Sequence, residues 1–261
     1  MNRIALTLAL TLLAATSASA QEVETGLKTP PPTGRAYSGF SYMTTGLNLV
    51  SRSSLNSAFS AGGFPTVSAN NWSLGLGSQL EFSRWVFAGE LEWVMGSIAS
   101  KTLPPPPGTT GFDLFKRTTR AVSANAIKGQ LMAGYSVVRT DRWSITPMLG
   151  IAPIFNIVDV HEFDDSDPSF GEVLDNPGRS TTLMNVALAG TVALGIDYRV
   201  PYKPLLGDPA TMMMGLRLGY SFSPAALATP LETVSNATDH RLGFDGPFVK
   251  LVFGAGTDYR Y

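Results

Sequence analysis

The chain has 261 residues, 19 basic and 20 acidic side chains, a net charge of −1 and only 15% charged residues. That near-neutral balance excludes the basic footprint of a nucleic-acid binder, and the lack of cysteine excludes a disulfide framework or a thiolate zinc site. Soluble domains carry about 25% charged residues, so a chain this poor in charge, with a mean hydropathy of +0.11, has apolar surface to place somewhere other than water.

Met1-Asn2-Arg3 gives a short positive start, Ile4 to Ala15 is apolar, and Thr16 to Ala20 carries a small-x-small pattern. In this order the three predict a secretory signal peptide over residues 1–20, cleaved after Ala20, because the apolar run is too short to span a bilayer as a helix. Residues 21–35, with Pro30-Pro31-Pro32 among them, read as a flexible leader on the periplasmic side. No later stretch reaches the 18 or so apolar residues of a membrane helix.

From residue 36 the chain breaks into segments of period two bounded by turn-forming residues. The first, about Tyr37 to Val50, alternates too poorly for its faces to be assigned. Trp72 to Phe82 puts Trp72, Leu74, Leu76, Leu80 and Phe82 on one face and Ser73, Gly75, Gly77, Gln79 and Glu81 on the other. After a turn at Ser83-Arg84, Trp85, Phe87, Leu91 and Trp93 oppose Glu90 and Glu92. The same rule sets Ile127, Leu131 and Tyr135 against Lys128 and Gln130, then Trp143, Ile145, Leu149 and Phe155 against Ser144, Thr146 and Asn156. Leu188, Val192 and Tyr198 oppose Ala189, Ala193 and Asp197, Leu216 and Leu218 oppose Arg217, and Val249, Leu251, Phe253, Tyr259 and Tyr261 oppose Lys250, Asp258 and Arg260. None of these segments shows a helical period.

Eight segments result, joined alternately by short turns and by connections of about twenty residues near 51–70, 98–118, 158–178 and 224–244. Short periplasmic turns alternating with long extracellular loops predict an all-β, antiparallel up-and-down transmembrane barrel of about eight strands over residues 36–261. The small-residue face suits the narrow interior of such a barrel, and the bulky face suits lipid. At about 2.5 Å of depth per tilted residue, Trp72 and Phe82 stand about 25 Å apart and Trp143 and Phe155 about 30 Å. With Trp85 and Trp93 these six residues are the expected aromatic girdle. The inward charges Glu81, Glu90, Glu92, Lys128, Arg217 and Lys250 form an expected interior cluster, in which Glu90 and Glu92 pair with some of Lys128, Arg217 and Lys250 and plug the bore.

The signal peptide, eight alternating strands, long outer loops and a last strand ending in an aromatic resemble the small outer-membrane barrel family of the OmpA transmembrane domain and OmpX type. The resemblance implies residence in the outer membrane of a Gram-negative cell envelope, contact with outer-membrane lipid and lipopolysaccharide, and a monomer. It also implies that Phe253, Tyr259 and Tyr261 are the signal read by the barrel-assembly machinery. The function expected is structural or surface-interacting, with a possible extracellular ligand at the surface loops, no cofactor, no metal and no catalytic residue. The alternative is an outer-membrane enzyme acting on lipid A or surface peptides with residues at the barrel rim. His161 with Asp164, Asp165 and Asp167, and His240 with Asp239, are similar to omptin proteases only in residue inventory. The Ser/His/Glu arrangement of lipid A deacylases is not supported, because Phe163 and Leu242 occupy the positions two after each histidine.

Overall fold

The computed structural model describes residues 37–105, 107–108, 110, 118–140, 142–164, 180–202, 210–224, 227–232 and 237–259. The expected signal peptide and leader, Asp165, Asp167 and Tyr261 lie outside the described residues. Twelve strands and one helix follow in order: β1 (Tyr37–Leu49), α1 (Ser53–Ala61), β2 (Asn70–Phe82), β3 (Trp85–Met95), β4 (Ala99–Leu103), β5 (Thr118–Tyr135), β6 (Val138–Arg139), β7 (Trp143–Asp164), β8 (Ser180–Tyr202), β9 (Ala210–Phe222), β10 (Pro230–Glu232), β11 (Ala237–Arg241) and β12 (Gly246–Tyr259).

Eight of the strands close a barrel. The ladder runs β1, β2, β3, β5, β7, β8, β9 and β12, and β12 returns to β1 from Tyr37↔Tyr259 to Asn48↔Phe248. Every one of these pairings is antiparallel, so the wall presents no free edge along its closed part. β2 and β3 turn over through Ser83-Arg84, with Ser83 in the left-handed region at φ 57°. Gly246 has φ 155°, and a Cβ there would meet the Leu49 carbonyl oxygen at 1.6 Å. Only glycine lets β12 start that close to the end of β1.

Successive side chains of a strand point to opposite sides, and the outer wall is consequently apolar. Leu74, Leu76, Leu131, Leu149, Ile151, Val192 and Leu251 are all exposed, while Ser73, Gln130, Thr191 and Lys250 between them are buried. β1 obeys the rule as strictly as the others, with Ser38, Phe40, Tyr42, Thr44 and Asn48 inside and Met43 and Leu47 outside. Its pattern is hard to read from sequence because its large rings point inward. Interior glycines make room for them: a Cβ on Gly77 would fall 2.6 Å from the Tyr42 ring.

Two expectations for the long connections are corrected. The segment after β1 is not without helix: Ser53 to Ala61 form α1, whose buried side chains are Leu55 and Phe59. Two anchors one turn apart among serines leave too weak a period to detect, and a helix this short depends on tertiary packing. The other three connections contain strand. β5, β7 and β8 run for 18, 22 and 23 residues against 13 and 11 in β2 and β3. One flank of the barrel thus rises beyond the other, with β4 added to β5, β10 to β8 and β11 to β10.

Candidate functional site

The short-turn end of the lumen is crossed by charge. Glu81 of β2 accepts hydrogen bonds from Arg199 of β8 and from Gln79 Nε2 at 2.8 Å, and lies 3.2 Å from Arg139 Nη2. Arg199 also stands 5.1 Å over the Phe40 ring. One layer along, Arg217 of β9 donates to Asp197 of β8 and reaches across to Gln79 Oε1 at 2.7 Å. Gln79 therefore joins the two layers.

A third layer sits mid-wall. Lys250 of β12 donates to Glu90 Oε1 at 2.7 Å and Glu92 Oε2 at 2.6 Å, both on β3. Thr44 and Asn48 of β1 donate to the same carboxylates at 3.1 and 2.9 Å. Lys128 lies 4.0 Å from Glu92, donates to Ser221 at 3.0 Å and faces the Phe248 ring at 4.9 Å. All of these charged groups except Arg139 are buried, and an isolated buried charge is costly enough that each must find such partners. Strands on opposite sides are bridged, which leaves side chains where a pore would run.

The structure turns all six residues of the expected interior cluster inward, and it brings Glu90, Glu92 and Lys250 into one contact with Lys128 at its edge. Arg217 goes elsewhere, to Asp197 on the neighbouring strand. Sequence reasoning missed Asp197, Arg199, Arg139 and Gln79 as partners. Asp197 was visible on the inward face, and carrying its period two residues further would have found Arg199.

Toward the long-loop end the filling changes character. Asn156 donates to Asn185, and Asn185 to the Leu242 carbonyl, both at 3.0 Å. Beyond the ionic layers Val50, Val94, Ala126, Ile154 and Phe244 pack together. Above them Leu55 and Phe59 of α1 enter a cluster with Val67, Val122, Ala124, Val158, Leu231 and Leu242. Asn56 ties α1 down by exchanging two hydrogen bonds with the Val67 backbone, at 2.8 and 3.0 Å. On the rim Arg120 donates to Glu162 at 2.8 Å and to the Gly62 carbonyl at 2.7 Å, and stands 4.8 Å over the Phe64 ring.

Arg52, the residue that opens α1, is the exception. It is 2% exposed, and among the described residues none of its three guanidinium nitrogens meets a hydrogen-bond partner. Burial without a counter-charge pushes its pKa down to about 10, which still leaves it protonated at neutral pH.

Trp72, Phe82, Trp85, Trp93 and Trp143 all stand on the outer face, exposed, and Phe155 is half-buried there. Tyr37, Phe82, Trp85 and Tyr135 share one register row at the short-turn end. Trp93, Ile127 and Phe155 share another toward the mouth. Phe253 is outward and exposed, and Tyr259 pairs with Tyr37. His161 lies on β7 between Ala121 and Ser180, and Leu242 is a core residue of the mouth. Among the described residues no three His, Asp or Glu side chains come together as metal ligands.

No family model and no curated protein matches the chain. Among solved structures, the chain is similar to Ail, the attachment invasion locus protein of Yersinia pestis, at 12% identity and a TM-score of 0.36 over 87% of this chain and 99% of that one. Neisserial surface protein A follows at 11% and 0.35, over 88% and 98%. A major outer membrane protein of Thermus thermophilus stands at 10% and 0.35, over 85% and 99%. The ladder itself establishes the architecture: the chain forms a closed antiparallel β-barrel of eight strands.

Proposed function

We propose that the chain resides in the outer membrane as a structural or surface-interaction barrel, and that it does not serve as an open pore. The observation that carries this reading is the pairing of an apolar outer wall with a lumen crossed by three layers of buried ion pairs and hydrogen bonds. Eight strands leave an interior only wide enough for side chains, and here those side chains are linked across it. The strand lengths point the same way. A crossing takes about 9–11 tilted residues, whereas β7 has 22 and β8 has 23, so this flank would stand well clear of the bilayer and offer a rim to the outside.

In the same reading residues 1–20 export the chain, and Phe253, Tyr259 and Tyr261 are presented to the assembly machinery. The aromatic rows sit at the two lipid interfaces, and the finer assignment is to the OmpA/OmpX type. The enzyme alternative gains nothing from the described rim, where Leu242 is packing and the charged pair Arg120–Glu162 holds a loop. Planar-bilayer recording tests the closed lumen: the purified barrel gives no steady conductance, and a sustained, sizeable current overturns the reading. Val192 and Ala193, midway between the two aromatic rows on β8, test the facing, being 60% and 4% exposed. Val192→Arg costs about 2–4 kcal/mol at mid-depth in lipid, measured by reversible unfolding from vesicles, and a cost near zero contradicts the membrane placement.

A further inference from the structure

Among the described residues Arg52 has no counter-charge. All four buried carboxylates among them, Glu81, Glu90, Glu92 and Asp197, already hold lysine or arginine partners in the lumen below. Removing a guanidinium from water without pairing it is among the most expensive things a fold can do, and here none of its three nitrogens meets an acceptor. Arg52 continues the inward alternation of Asn48 and Val50 into the mouth.

A second feature at the same place wants negative charge. Arg52 is the N-terminal cap residue of α1, its side chain makes no capping hydrogen bond, and no acidic residue stands in the first turn. The first acceptor used is the Arg52 carbonyl, by the N–H of Asn56 at 2.8 Å, so the N–H groups of Ser53 to Leu55 have no intrahelical acceptor. The positive end of a helix and oriented N–H groups favour an anion.

We propose that Arg52 and the first turn of α1 form a binding site for a small inorganic anion, which supplies the missing counter-charge and fastens the helix in the barrel mouth. Arg52 is 2% exposed, so the occupant is a small inorganic anion rather than a lipid headgroup, which would have to leave its membrane surface to meet a guanidinium so far from solvent. The site is separate from the ion-paired lumen: its cation takes part in none of those pairs. Its loss would leave the barrel wall and the closed bore intact, so its failure and that of the proposed function are distinguishable.

Bromide is the probe. The folded barrel in detergent is melted across a bromide titration, with ionic strength held constant by the sodium salt of a bulky sulfonate. The melting temperature rises by about 5 °C or more at a bromide concentration a hundredfold above its Kd. Arg52→Met removes this dependence and, without bromide, melts no lower than the parent, since an unpaired buried charge has gone. A parent insensitive to bromide overturns the site, as does an Arg52→Met protein that is less stable by the same amount at every concentration. Crystals grown in bromide decide the matter without any variant. An anomalous peak within hydrogen-bonding distance of the Arg52 guanidinium is expected, and a guanidinium hydrated by water alone overturns it.

Discussion

Below Asn48 lysine, arginine and carboxylate side chains held in pairs cross the lumen between apolar clusters such as Phe40, Tyr42, Met213 and Val252, whereas above Val50 the filling is mainly leucine, phenylalanine, valine and alanine, with Arg52 the exception. Both halves occlude a narrow bore, and they do so at different thermodynamic risk. The apolar half gains by removing surface from water and tolerates imperfect fit at modest cost. The ionic half gains little net stability, because desolvation offsets the Coulomb attraction, yet it penalises any arrangement that leaves one member alone. A one-residue slip of β3, β5 or β12 would turn Glu90 and Glu92, Lys128 or Lys250, respectively, toward the outer wall. The ionic half therefore guards register, and the apolar half holds a lid.

The sharpest way to break this contrast is to orphan the mid-wall carboxylates. Lys250→Met leaves Glu90 and Glu92 without their shared donor at 2.7 and 2.6 Å. A loss of about 3–5 kcal/mol is expected for removing one partner of a buried pair, read from denaturant unfolding out of vesicles. Lys250→Met combined with Glu90→Gln recovers most of that loss, because the uncompensated charge goes with the partner while Lys128 keeps Glu92. A double variant as unstable as the single one would mean that the layer acts through packing alone.

How legible each half was follows from the same physics. Strict alternation in β2, β3, β8 and β9 exposed the wall, its closure and the inward charges, because lipid-type and lumen-type surfaces impose a period of two on every residue. The partners were harder. Arg217 could be placed inside, but its choice of Asp197 over Glu90 depends on stagger between β8 and β9, where Gly195 and Gly215 flank the pair, and periodicity carries no register. The mouth was nearly opaque. Its cluster draws Leu55 and Phe59 from a loop, Leu231 from β10 and Leu242 from beyond β11, segments too short to show any period. Nothing in the local pattern around Arg52 signals that its side chain is buried.

Phe59→Ala probes the apolar half. A buried phenylalanine truncated in a core costs about 3 kcal/mol, but α1 is held to the wall by few strands and can open without the barrel unfolding. The expected result is a faster amide exchange and protease cutting within residues 53–61, with the global unfolding midpoint nearly unchanged. A shift of the global midpoint as large as that of Lys250→Met would show that lid and wall unfold as one unit, and the division between the two halves would fall.

The smallest effect belongs to Arg120, which closes the lid from the solvent side. Its pair with Glu162 is partly exposed, with side chains at 24% and 27%, and screened pairs of this kind contribute about 0–1 kcal/mol. The hydrogen bond to the Gly62 carbonyl and the stacking over Phe64 add to the pair but stay open to water. Arg120→Ala should therefore raise exchange in residues 53–64 only slightly, and less so at high salt, where the parent pair is already weakened. Phe59→Ala should be insensitive to salt. If Arg120→Ala released the helix as fully as Phe59→Ala, the lid would be held by charge at its rim, and the mouth would differ from the lumen below only in how wet its ion pairs are.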